Sequence, residues 1–177
     1  FIRIIPSGGF MYNRFKSNRP EYLLSQSAPG ICFFTKKKSF VNINLDNDLW
    51  IDKSLSPLGE DQITFYKFWL YKYKIVCVTN HTIKHLDAGI NNFSKKTKTA
   101  YGASHNKIIF WYKYIYTNEN RKTLKLFKMI LLIYSLTIWF IFFLLKDLFS
   151  LKYSRILNFS KGIYDAIKDI NKSKEYS

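Results

Sequence analysis

No charge interrupts the 17 residues from 129 to 145, a run of Met, Ile, Leu, Phe, Tyr and Trp broken only by Ser135 and Thr137. A run of this kind has to leave water, which limits the folds open to the chain more than any other feature. Its length sits at the lower limit of the roughly 17–25 residues that a helix needs to cross a membrane. Lys122, Lys125 and Lys128 precede the run and Lys146 follows it. Trp139 stands near its middle, not at an interfacial end. Three arrangements satisfy the pattern: a transverse span, a helix lying in the membrane plane, and one arm of a buried helical hairpin.

The tail from 151 to 170 has apolar residues at Ile156, Phe159, Ile163, Ile167 and Ile170 with lysines between them. That spacing predicts a basic amphipathic helix, suited either to a membrane surface or to packing on its own domain. The formal net charge of +16 points towards nucleic acid, an anionic membrane or phosphate-bearing ligands. Phe110-Trp111-Tyr112-Lys113-Tyr114 interleaves aromatic and basic side chains, as base-stacking platforms do. No recognisable nucleic-acid module accompanies it, so nucleic acid is not expected as a partner. Cys32 and Cys77 lie in apolar, strand-like runs and read as buried free thiols of a reducing compartment.

The first half of the chain reads differently. It opens on Phe1, with Ile2, Ile4 and Ile5 in the pattern of a strand already under way, and is expected to be a fragment that lacks its N-terminal part. Residues 1–29 are rich in breakers such as Gly8-Gly9 and Ala28-Pro29-Gly30. Ile31-Cys32-Phe33-Phe34-Thr35 reads as a buried strand and Lys36-Lys37-Lys38 as a basic turn. After Pro57-Leu58-Gly59 the pattern becomes helical over 60–72: Ile63, Tyr66, Trp69 and Leu70 share a face, widened by Phe65 and Phe68. Tyr73-Lys74 make a turn, and Ile75-Val76-Cys77-Val78-Thr79 is a second strand. Residues 91–101 are polar and basic and are expected to form a mobile loop.

Glu60 and Asp61 open the predicted helix, where acids suit the helix dipole. Paired carboxylates in such a place can act as a general base and its support. An ordinary acidic helix start has the same appearance, and a lone histidine such as His85 is more often structural than a ligand. The order of the parts is more specific. Residues 27–89 resemble the second half of the catalytic domain of family 2 glycosyltransferases. There, a small-residue strand like Ala28-Pro29-Gly30-Ile31-Cys32-Phe33-Phe34 precedes a variable acidic loop. A Glu-Asp pair then opens a helix, followed by a Gly-Tyr-Lys-Ile turn and strand and by a histidine. Here these parts are Glu60-Asp61, Lys72-Tyr73-Lys74-Ile75 and His85-Leu86-Asp87-Ala88-Gly89. Ser104-His105-Asn106-Lys107-Ile108-Ile109-Phe110-Trp111 resembles the family's Arg-Asn segment before its C-terminal helices.

The resemblance implies an α/β architecture: the C-terminal part of a glycosyltransferase-A, Rossmann-like domain over 1–94, a basic and aromatic connector over 95–125, an apolar membrane-associated helix over 126–150 and a basic amphipathic helix over 151–177. It implies inverting transfer of a sugar from a nucleotide-sugar donor to an acceptor hydroxyl of a glycan or lipid-linked substrate. Asp61 would be the catalytic base and Glu60 its orienting partner. His85 would touch a divalent metal (Mg2+ or Mn2+) or the diphosphate, and His105 the diphosphate of the bound nucleotide. The setting would be cell-surface polysaccharide synthesis at the cytoplasmic face of a bacterial membrane.

Three departures stand out. The family's Asp-x-Asp metal motif belongs to a donor-binding half that is not present, and Asp46-Asn47-Asp48 matches its letters in the wrong place, so the fragment alone is expected to be inactive. Lys72 replaces the turn glycine. His105 stands where arginine is expected. The competing expectation is a non-enzymatic, basic, membrane-anchored protein or an inactive gene remnant.

Overall fold

The computed structural model describes residues 2–12, 21–27, 33–44, 60–78, 93–151 and 153–175. Its elements run β1 (Ile2–Ile4), β2 (Phe10–Tyr12), β3 (Tyr22–Ser25), α1 (Lys37–Asn42), α2 (Glu60–Leu70), β4 (Ile75–Val78), α3 (Phe93–Phe110), a π-helical segment (Trp111–Tyr116), α4 (Lys122–Ser150) and α5 (Ser154–Glu175). They fall into two compact units. One comprises Phe1–Ile5, Phe10–Leu49 and Gly59–Ile90; the other comprises Pro6–Gly9, Trp50–Leu58 and Asn91–Ser177. Helix dominates, and the mixture of helix with some strand agrees with the sequence. A Rossmann-like parallel sheet is not evident: both strand pairs among the described residues, β1–β2 and β3–β4, are antiparallel.

In the first unit, β4 forms where the Ile-Val-Cys-Val pattern predicts it, but its partner is unexpected. Tyr22 pairs with Val78 and Ser25 with Ile75, so β3 comes from a region that reads as loop. Residues 33–35, expected as strand, join no ladder, and Phe34 is 97% exposed. The Phe33 ring instead packs on Phe65 and Phe40, at centroid distances of 5.1 and 6.4 Å. Aromatic packing on helices thus replaces the ladder the apolar run suggests. The basic turn at Lys37-Lys38 is in fact the start of α1.

Helix α2 buries Ile63, Phe65, Tyr66 and Phe68. Trp69 and Leu70, expected on the same face, are 41% and 38% exposed. The core here is Ile43, Phe65 and Phe68, with Tyr73 and Ile75 packed against it. The end of α2 is closed by a Schellman turn. The Tyr73 amide donates to the Phe68 carbonyl and the Lys72 amide to the Trp69 carbonyl, each at 2.9 Å. Lys72 is left-handed, with φ 60. The Tyr73 and Phe68 rings meet edge to face at 5.7 Å, the apolar contact that accompanies this motif.

In the second unit, residues 93–101 are helix and not the expected loop. Tertiary packing supplies what the polar sequence lacks. Small residues let α3 and α5 approach closely: Ala100, Ser104 and Ala166 are fully buried, and a Cβ on Gly162 would collide with Ser104 Oγ and the Tyr101 carbonyl. Ser104 Oγ donates to the Phe159 carbonyl across the pair at 2.8 Å. Helix α4 contributes Phe143 and Leu136 to this core, against Ala100, Phe159 and Ile163. The π-helical segment carries the register of α3 into the break before α4, with the Thr117 amide reaching the Tyr112 carbonyl. The Trp111 indole donates to the Pro6 carbonyl at 3.0 Å. Gly8 at φ +74 leaves room for the Trp111 side chain, 3.1 Å from where a Cβ would stand.

Both ends of α4 are held by carboxylates. At its start, Glu119 receives hydrogen bonds from Lys128 Nζ at 3.0 Å and from the Arg121 amide at 3.2 Å. These donors, Lys128 first, hold the Glu119 carboxyl down at about 2. At its end the fully buried Asp147 accepts the Arg155 and Ile156 amides, both at 2.9 Å on Oδ2. These are the second and third residues of α5, the amides that an N-cap side chain ordinarily serves. Tyr153 precedes the helix and has no short-reach oxygen, so the cap comes from α4. Leu151, left-handed at φ 51, turns the chain between the two helices.

Two substitutions probe these ends. Lys72→Gly removes the left-handed penalty of a side chain and is expected to stabilise the first unit by about 1 kcal/mol, seen as slower amide exchange in the last turn of α2. Asp147→Ala leaves two part-buried helix-start amides without their acceptor and is expected to cost the second unit about 2 kcal/mol, with Asp147→Asn costing less. Thermal unfolding in detergent micelles measures the second effect.

Candidate functional site

Helix α2 begins at Glu60, so both acids singled out in the sequence lie in its first turn. The Asp61 side chain is half-buried. The Glu60 side chain is not among those described. The helix that carries them buries Phe65 and Phe68 against Ile43. Phe65 and Phe68 contact each other at a centroid distance of 6.5 Å. Lys67, itself buried, donates through Nζ to the Asn44 carbonyl. His85 and Asp46-Asn47-Asp48 lie outside the described residues. Among the described residues no three His, Cys, Asp or Glu side chains converge to hold a metal.

His105 belongs to the second unit, and its setting differs from the one expected of a diphosphate contact. It is 1% exposed. Its Nδ1 lies 2.9 Å from Asn106 Oδ1 and its Nε2 3.1 Å from Asp169 Oδ2. The ring stacks on Tyr101, centroids 5.4 Å apart. The Tyr101 hydroxyl donates to Asp165 Oδ2 at 3.0 Å. Burial, the hydrogen bond to Asp165 and the charges of Asp165 and Asp169 push the Tyr101 hydroxyl up to about 12. With both ring nitrogens engaged inside the unit, His105 acts as a strut between α3 and α5. Arginine at this place would bring a larger, permanently charged group into a nearly closed space.

Sequence reasoning missed Tyr101, Asp165, Asp169 and Asp147 as a polar framework. One signal was available: Asp165 and Asp169 are four residues apart in a basic amphipathic helix and so share a helix face. Their partners, 64 positions away in the chain, could not be read locally.

Lys107 adds a titrating group. Its Nζ donates to Ser135 Oγ of α4, and burial pushes the amine from 10.5 down to about 8. Below the folded value, the unit carries an ammonium that it solvates less well than water does. Between about 8 and 10.5 the unfolded chain binds this proton and the folded chain does not, so stability rises with pH across that window. Lys107→Met is expected to remove this rise. Unfolding temperatures of both proteins across the window test it, and parallel pH curves would assign the rise to another group.

Comparison of the chain with protein-family models, curated proteins and solved structures finds no match in any of the three.

Proposed function

We propose that this chain carries the acceptor-side, membrane-proximal part of an inverting glycosyltransferase of the family 2 kind. It would move a sugar from a nucleotide-sugar donor to a hydroxyl of a glycan or lipid-linked acceptor, at the cytoplasmic face of a bacterial membrane, in cell-surface polysaccharide synthesis. The observation that carries this reading is the backbone at Lys72. The resemblance assigns a glycine to that turn, and Lys72 adopts the left-handed conformation that favours glycine. The turn closes a helix that opens with Glu60-Asp61 and leads into β4. The order acid pair, helix, left-handed turn and strand supports the resemblance independently of the letters at the turn. The exposed side chains Tyr22, Leu24, Val76 and Val78 add support. They give the β3–β4 pair an apolar outer face, as expected where a donor-binding half packs.

In the proposed reaction the Asp61 carboxylate takes the proton of the acceptor hydroxyl as that oxygen attacks the anomeric carbon. The new glycosidic bond forms on the face opposite the breaking bond, and the nucleoside diphosphate leaves with the bonding pair. Glu60 orients the base. His85 remains the proposed contact for the metal or diphosphate. A divalent ion, when bound, would neutralise the charge of the leaving diphosphate. The strut role of His105 removes it from the proposed contacts. A second reading, a non-enzymatic membrane-anchored protein, is favoured by one observation: α4 leaves most of its apolar surface uncovered.

Asp61→Asn separates the two. In the complete gene product it is expected to lower turnover by about a hundredfold or more, with unchanged circular dichroism. Near-normal turnover would take Asp61 out of the chemistry. No transfer by the unmodified protein, whatever the donor supplied, would favour the membrane-anchor reading.

A further inference from the structure

Helix α4 is covered along one narrow stripe. Leu132, Phe143 and Asp147 are its buried residues, and Leu136 packs between the same helices. On the opposite side Phe127, Ile130, Tyr134, Ile138, Ile141, Leu145 and Leu148 are all exposed. At 100° per residue these positions form one continuous band along the helix. Exposed apolar bands of this size are unusual on monomers in water and mark a contact surface.

What covers the band follows from what packs on the other side. Leu136 and Phe143 lie inside the uncharged run, and their neighbours are Ala100, Ile108 and Ile109 of α3 and Phe159, Ile163 and Ala166 of α5. Thus α3 and α5 lie alongside the run, not beyond its ends. They bring charge with them. Lys107 reaches Ser135 near the middle of the run. His105 pairs with Asp169 at 3.1 Å, and Lys161, Lys168 and Lys172 of α5 are exposed. If α4 crossed a bilayer at a right angle, α3 and α5 would enter the hydrocarbon with these groups, which is unfavourable for each ionised side chain that faces lipid. If α4 lies flat, the apolar band alone enters the lipid and the charges stay in water.

We propose that α4 lies in the plane of an anionic bilayer, its apolar band in the acyl region and α3 and α5 above it on the aqueous side. The inference rests on the membrane part of the reading above, and not on the transfer chemistry. Anionic lipid is the occupant that the charge favours. The chain carries +16, and Lys122, Lys125 and Lys146 stand at the two ends of the band. Basic residues beside an apolar helical face attract acidic headgroups.

The test uses the full chain with Cys32→Ser and Cys77→Ser, carrying cysteines at Asn120→Cys and Tyr153→Cys, which flank α4. The protein is reconstituted into sealed vesicles of phosphatidylcholine with phosphatidylglycerol and treated with a membrane-impermeant maleimide of high mass. A flat helix has both ends on one side, so each molecule gains two labels or none. A transverse span exposes one end, so each molecule gains one label, and that result overturns the proposal while keeping the membrane reading. Ile138→Lys, in the middle of the band, is expected to weaken flotation with these vesicles by roughly tenfold or more. Wild-type protein that floats with no vesicle, anionic or neutral, overturns both the proposal and the membrane reading. If that protein also sediments as a stable dimer, the band is an interface between copies.

Discussion

The Asp147 carboxylate is the joint on which the C-terminal unit depends. It sits fully buried in the last turn of α4 and accepts the Arg155 and Ile156 amides that open α5. Arg155 Nη1 lies 3.7 Å from its other oxygen. A buried carboxylate is tolerable only when donors surround it, and a helix N-terminus supplies both hydrogen bonds and favourable dipole charge. The same interaction satisfies α5 and fixes its starting point against α4. With Leu151 turning the chain, α5 runs back beside α4 and meets α3 along its length.

Once α5 is directed this way, the remaining features of the unit follow. Gly162, Ser104 and Ala100 admit close contact between α3 and α5, and the Tyr101–Asp165 and His105–Asp169 pairs tie the same two helices together. Polar groups therefore gather on the α3–α5 side, and beyond Asp147 at its end α4 adds a stripe of Leu132, Leu136 and Phe143. The opposite surface of α4 stays apolar and open. The covering of α4 on one side only, by helices that carry charge, is a property of the packing and not of the run itself.

The proposed transferase site follows a different logic. Asp61 is placed by α2, whose start is marked in the sequence by Pro57-Leu58-Gly59 and an acidic first turn, and whose end is read near Tyr73-Lys74 but without the glycine that a left-handed cap favours. Lys72 is a poor residue for a left-handed cap, yet the Schellman bonds and the Phe68–Tyr73 contact impose that geometry. Capping contacts within the turn overrode the residue's own preference there, and in α3 tertiary contact did the same. The Lys- and Thr-rich stretch before Ala100 reads as loop, and it is helical as part of a helix that packs on α5. Likewise β3 is too short and too mixed to be seen until β4 pairs with it.

The sequence by itself determined the elements whose signals are local: the long apolar helix, the basic amphipathic helix after it, the acid-headed α2 and the Ile-Val-Cys-Val strand. Each follows from a periodicity or a breaker within about one turn or one strand of the residue concerned. Only the tertiary structure decided which face of α4 is covered, which strand pairs with β4, that α3 is helical, and that His105 is a strut. Those outcomes rest on contacts between residues distant in the chain, whose energies appear only when the partners meet. The two aspartates of α5 make the point: their spacing is visible in the sequence, but their roles come from Tyr101 and His105 on a helix far upstream.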